Sequence, residues 1–251
     1  KLLDKISFSE EKDQLIFLGD AINNGYNSKN VLDFFIRLKK EHKQHRFLLG
    51  NHDYFFLNFL DKKYIDKGER KKVPTPKVRK LINEFYSYGI YKKEHFNEKE
   101  LIKLSNDFKT KHYEYYVFIK DMELFLEEDD FIAVHIGLFS SKKDWKSKTF
   151  IEMHINDANF LEEKNILDKW IFFGHFPKNI LDKSEEDSEY KPRTLYIDEE
   201  RKKIGIDGGA SNYLEKHKTS QLNAVILEPL IEKSRKNNKN IIPVKKKDNG
   251  G

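Results

Sequence analysis

Asp20, Asn51, His52, His135 and His175 share a setting: each stands just past a short apolar run, beside or close to a glycine. The stretches are FLGD, LLGNHD, AVHIG and FFGHF; a fifth, IGIDGG, ends in Asp207 and two glycines. Oxygen and imidazole donors of this kind suit Mn, Fe, Zn or Mg. The chain has no cysteine, so a thiolate site is excluded. Glycine before a ligand lets the backbone turn sharply and an ion approach closely. Loops at strand ends are where a rigid scaffold gathers ligands from distant sequence. Taken singly, Gly-Asp is commonly a turn, and a buried histidine is more often a core residue than a ligand. Core packing does not explain four such ends in this order, each behind an uncharged strand, and the set points to a divalent-metal site.

The elements that must position these residues follow from periodicity. DQLIFLGD reads as a strand and turn. NSKNVLDFFIRLKKEH reads as a helix, with Val31, Leu32, Phe35, Ile36 and Leu38 apolar among charged neighbours. HRFLLGNHD is a second strand and turn. Residues 53 to about 120 read as helical and irregular, broken at Pro74, Pro76 and Gly89. DMELFLEEDDFIAVHIGLF is two strands around an acidic turn, and KWIFFGHFP a strand running into a loop. TLYIDEERKKIGIDGG is a hairpin-like pair, and QLNAVILEPL a final strand. Strand and helix alternate before residue 120 and strands dominate after it, which predicts an α/β fold of two sheets with outer helices. No repeat or linker divides the chain. The expected domain is residues 1–230, followed by a Lys/Asn-rich tail over 231–251. KLLDKISF reads as the last turns of an amphipathic helix, so the expectation is that an N-terminal piece is missing.

The 251 residues suffice for one sizeable core, and 20 Phe and 12 Tyr supply material for it despite 35% charged residues. Net charge is +5, carried mostly by lysine, with arginine only at Arg37, Arg46, Arg70, Arg79, Arg193, Arg201 and Arg235. Lysine and asparagine richness of this kind reflects AT-rich codon usage more readily than a nucleic-acid surface, which needs clustered phosphate contacts. No apolar run approaches the ~18 residues of a membrane span, and no signal peptide is visible. The expected location is therefore cytoplasmic, with no membrane partner. His42, His45, His95, His112 and His217 lie among charged and polar residues, and surface positions are expected for them. Tyr54, Phe55, Phe56 and Phe59 follow GNHD at helical spacing and are expected to pack beneath the site.

In order and wording these motifs resemble the calcineurin-like metallophosphoesterases, and more closely their phosphoprotein-phosphatase and diadenosine-tetraphosphatase branch. That family runs Asp-x-His-Gly, Gly-Asp-x-x-Asp-Arg-Gly, Gly-Asn-His-(Glu/Asp), His-(Ala/Gly)-Gly and Gly-His, often with Asp-(Thr/Gly)-Gly near the end. The likeness spans Leu15 to about Leu227, with GNHD its most specific part and residues 53–130 matching as a variable cap. It implies a four-layer α/β/β/α sandwich of two mixed sheets. It also implies two divalent metal ions roughly 3.5 Å apart that share a carboxylate and a hydroxide. On the matching positions, Asp20 would bridge the metals, and Asn51, His135 and His175 would complete the second. His52 would be the general acid, and Asn24, Asn51 and Asp207 would face substrate. The implied substrate is a phosphate monoester, on a phosphoprotein or a nucleotide such as a dinucleoside polyphosphate.

Three departures qualify the likeness. No Asp-x-His strand for the first metal occurs in the chain as given. Gly19-Asp20-Ala-Ile-Asn23-Asn24-Gly25 carries asparagines where the family has Asp-Arg. Asn23 leaves the imidazolium of His52 less favoured than an aspartate would, and Asn24 cannot form a bidentate charged clamp on phosphate. Asp53 adjoins His52, but backbone geometry turns it elsewhere. In MHINDANF, His154 or Asn156 replaces a second family arginine, for which Arg193 or Lys178 could substitute. The alternative these departures raise is a degenerate, weakly catalytic member acting as a binding or regulatory module.

Overall fold

The computed structural model describes residues 2–23, 27–61, 97–148, 159–176, 195–210 and 222–227. Asn24, His95, His154, Asn156, Lys178, Arg193, His217 and the tail beyond residue 230 lie outside the described residues.

A four-residue helix, α1 (Leu2–Lys5), leads to β1 (Ile16–Phe17), α2 (Ser28–Glu41), β2 (Arg46–Phe47) and α3 (Asn51–Leu60). Next come α4 (Glu98–Lys111), α5 (Tyr113–Lys120), β3 (Phe125–Glu127) and β4 (Phe131–Val134). The remaining elements are α6 (Trp145–Lys148), α7 (Asn159–Glu162), β5 (Trp170–Phe173), β6 (Tyr196–Asp198) and β7 (Lys203–Gly205). β1 and β2 pair in parallel, and a single bridge from Leu48 to Glu123 extends that edge. The second sheet has the order β3-β4-β5-β7-β6, with β4, β5 and β7 parallel at its centre and antiparallel strands at both edges.

Side-chain alternation along the strands sorts the apolar residues into three seams. Phe17, Phe47 and Leu49 face α2, α3, α4 and α5, packing against Leu32, Phe35, Phe56, Leu104, Phe108 and Ile119. Leu18 and Leu48 turn the other way and meet Phe131, Ala133, Phe172 and Ile204 of the second sheet. The intervening residues Ile132, Val134, Ile171 and Phe173 point outward to Leu138, Trp145 and Phe160. The period of two thus places helices, sheet, sheet and helices in successive layers, the mixed α/β sandwich expected. Among the described residues, no helix is long and apolar enough to cross a membrane.

Two expectations fail. Residues 222–227 form no strand. Val225 and Leu227 still pack on the seam between the sheets, and the Asn223 amide donates to the Ile206 carbonyl at 3.1 Å, so the apolar run covers the sheet without joining its ladder. His45 is not on the surface but 2% exposed. Its Nδ1 accepts the Leu15 N–H at 3.0 Å, and its Nε2 meets the Glu10 carbonyl at 3.1 Å. Polar neighbours in sequence hid partners about 30 residues away. Phe56 and Phe59 are buried as expected, while Tyr54 and Phe55 are half-buried.

Candidate metal centre

All four segments that carry the candidate residues leave the carboxyl ends of parallel strands. Asp20 follows β1, Asn51 and His52 open α3 just after β2, and His135 and His175 follow β4 and β5. The β1 and β2 loops approach so closely that a side chain at Gly50 would place its Cβ 2.1 Å from the Asp20 nitrogen. At Gly19, with φ at +95°, a Cβ would lie 2.6 Å from the His135 ring. Glycine is required at both positions, as the sequence motif implied.

The donor atoms of Asp20, His135 and His175 lie within 4.8 Å of one another. Asp20 Oδ1 is 3.4 Å from His135 Nε2. Asn51 Oδ1 lies between them, 3.0 Å from His135 Nε2 and 3.1 Å from His175 Nδ1, with both Asp20 oxygens at 3.2 Å. One amide position therefore meets four acceptors. Turning the amide would point its N–H group at Asp20 and the two rings; a divalent cation is the other group that these converging atoms could share. The donor set of carboxylate, amide oxygen and two imidazoles fits such an ion.

The surroundings prepare each donor. The Nδ1–H of His135 donates to the Leu18 carbonyl at 2.6 Å, so Nε2 is the ring atom that faces the cluster, where, against the effect of burial, Asp20 raises the pKa of the ring. Burial, reinforced by the neighbouring His135, holds His175 at a pKa of about 4, so its ring is a free base at neutral pH. Burial opposes ionisation of Asp20, but the imidazoles of His135 and His52 and the His52 N–H hold its carboxyl at about 2. Asp20 and His175 both carry positive φ, +62° and +61°. Such angles are uncommon for residues other than glycine and recur at functional sites.

His52 is buried at the start of α3. Its N–H donates to Asp20 Oδ1 at 3.0 Å, and its Nε2 lies 4.0 Å from Asp20 Oδ2. Behind it, Asn23 Nδ2 is 3.3 Å from Nδ1. An amide N–H donating there makes Nδ1 the acceptor and puts the ring proton on Nε2, toward Asp20. Asp207 follows β7, whose pairing Phe173↔Gly205 brings it to the same sheet end as His175. Its Oδ1 accepts the Gly209 N–H at 2.7 Å and so shapes the turn.

Sequence reasoning set Asp53 aside. Its side chain does turn away from His52, but into the base of the site, where Oδ2 accepts three backbone N–H groups. The available signal was its place three residues past Gly50, where an acidic side chain reaches back to a helix start.

Layering, strand-end loops and a converging donor set together define a domain of metal-dependent phosphoesterase type. The family model for calcineurin-like phosphoesterases matches residues 1–179, and the chain belongs to that family. A comparison with curated protein sequences gives no match.

Proposed function

We propose that this domain hydrolyses phosphate monoesters, on a phosphoprotein or a dinucleoside polyphosphate, as a phosphoprotein-phosphatase-like member with two divalent ions. The observation that carries the reading is the convergence of Asp20, His135 and His175 donor atoms within 4.8 Å of one another, with the Asn51 amide among them. Asp20, Asn51, His135 and His175 would hold one ion, and Asp20 is the ligand a second ion would share. Bound there, divalent ions polarise phosphoryl oxygens and lower the pKa of a bound water.

The remaining roles belong to the chain itself. Asp20 supplies the ionised carboxylate that draws cations into the site. The Leu18 carbonyl fixes the His135 tautomer. His52 stands beside Asp20 with Nε2 facing it, and in its protonated form the ring would donate from Nε2 toward a leaving oxygen with Nδ1 against the Asn23 amide. Asn23 orients that ring without supplying charge, so a protonated His52 gains less from it than from a carboxylate. Asn24 and Asp207 are assigned to the substrate side.

The test is turnover of an aryl phosphate, a phosphopeptide and diadenosine tetraphosphate by the full chain with Mn²⁺, alongside the bound-metal ratio. The proposal expects Mn²⁺-dependent release of phosphate and two ions per chain. A metal-loaded chain that turns over none of the three contradicts it.

A further inference from the structure

Asp53 is completely buried, with 0% of its surface exposed, and its Oδ2 accepts hydrogen bonds from backbone N–H groups of two loops. Its Oδ2 accepts the N–H of Gly50 at 2.9 Å, of Asp20 at 2.9 Å and of Ala21 at 3.3 Å. The Gly50 bond suffices to close the start of α3. The other two serve no helix: they reach back 33 and 32 residues to the loop after β1. There they hold the backbone on either side of the Asp20 α-carbon, whose φ of +62° is uncommon outside glycine. The link is reciprocal, because Asp20 Oδ1 accepts the His52 N–H from the first turn of α3. Gly19 and Gly50 are in backbone contact at the same place, so little else fits between the loops. Capping alone does not call for a wholly buried carboxylate, since a short hydroxyl or amide side chain caps a helix from its surface.

We infer that Asp53 is a positioning residue that presets Asp20 against Asn51 through the backbone, so that metal affinity depends on a side chain that is not a ligand. The inference rests on the metal-site reading above. It makes the loops after β1 and β2 one rigid unit, already formed before an ion arrives.

The experiment uses the full chain and Mn²⁺, with free ion followed by electron paramagnetic resonance and folding followed by near-ultraviolet circular dichroism. Asp53→Asn keeps the shape but replaces with an amide the carboxyl group that gathers three donors. It is expected to weaken Mn²⁺ binding by about 10–100-fold, as loss of an outer-shell partner does. Leu57→Ala, one turn further along α3 and packed in the core, is the control for helix destabilisation and is expected to stay within about twofold of wild type. Equal Mn²⁺ affinity in wild type and Asp53→Asn overturns the inference, as does equal loss in Asp53→Asn and Leu57→Ala. A wild-type chain that binds no Mn²⁺ overturns the site reading first and the inference with it. A measurement on the wild type covers the case in which Asp53→Asn does not fold. The amide protons of Asp20, Ala21 and Gly50 should exchange slowly without metal, and rapid exchange that Mn²⁺ suppresses would show that the loops are not preset.

Discussion

Among the described residues, Asp20 and Asn51 stand just past two-residue strands of a two-stranded sheet, whereas His135 and His175 follow four-residue strands at the centre of a five-stranded one. The long strands are buried on both faces, and their ladder fixes where the histidines emerge. The short strands cannot do this for Asp20 and Asn51. Their loops are held instead by crossed bonds, Asp53 to the Asp20 backbone and Asp20 to the His52 backbone. One half of the cluster thus offers imidazoles on a rigid sheet, and the other offers a carboxylate on loops that stabilise each other. The contrast says where substitutions should matter most: the charged, loop-held half should be the more fragile.

Replacing Asp20 strikes that half directly. Asp20→Asn should cost more than the ~100-fold that outer-shell changes cost, in both Mn²⁺ affinity and kcat, measured by titration and steady-state hydrolysis. His52→Ala should lower kcat by about 10²–10⁴-fold while Mn²⁺ still binds, a split that separates proton donation from ligation. Asn23→Asp places charge behind His52 and should raise kcat about tenfold, or ~1.4 kcal/mol in the barrier. Gly50→Ala forces a Cβ into the Asp20 backbone. It should destabilise the fold by about 1–3 kcal/mol in urea unfolding, as overpacking does.

The smallest effect lies at the foot of β1 and not in the cluster. Burial is the main cause lowering the His45 pKa from its ordinary 6.5, with nearby His42 adding to it and the Glu10 carbonyl opposing it. The folded chain therefore binds fewer protons than the unfolded one just below that value. Stability from this group is complete above pH 6.5 and is lost as pH falls through the lowered folded value. Urea midpoints measured from pH 7 to pH 5 should fall less in His45→Gln than in wild type.

How much of this the sequence reveals depends on the range of each interaction. The four strand-and-turn motifs are local, and so the residues that converge, Asp20, Asn51, His135 and His175, could be picked out from apolar runs ending in Gly-Asp, Gly-Asn-His, Ala-Val-His and Gly-His. The two sheets were legible too, because alternation along β4 sends Phe131 and Ala133 to one seam and Ile132 and Val134 to another. His45 was misread because nothing near it in sequence announces Leu15 as its partner. The 222–227 run was misread because apolar spacing reports burial, not ladder pairing. Asp53 was legible as a helix-start residue, but its hold on a loop 33 residues earlier was not.

Equilibrium titration of the full chain with Mn²⁺, run on wild type and Asp20→Asn and paired with phosphate release from an aryl phosphate, tests the central claim most directly. Saturable binding and metal-dependent hydrolysis in wild type, both lost together in Asp20→Asn, is the predicted result. Hydrolysis that persists undiminished in Asp20→Asn, or a wild-type chain that never binds the ion, would contradict it.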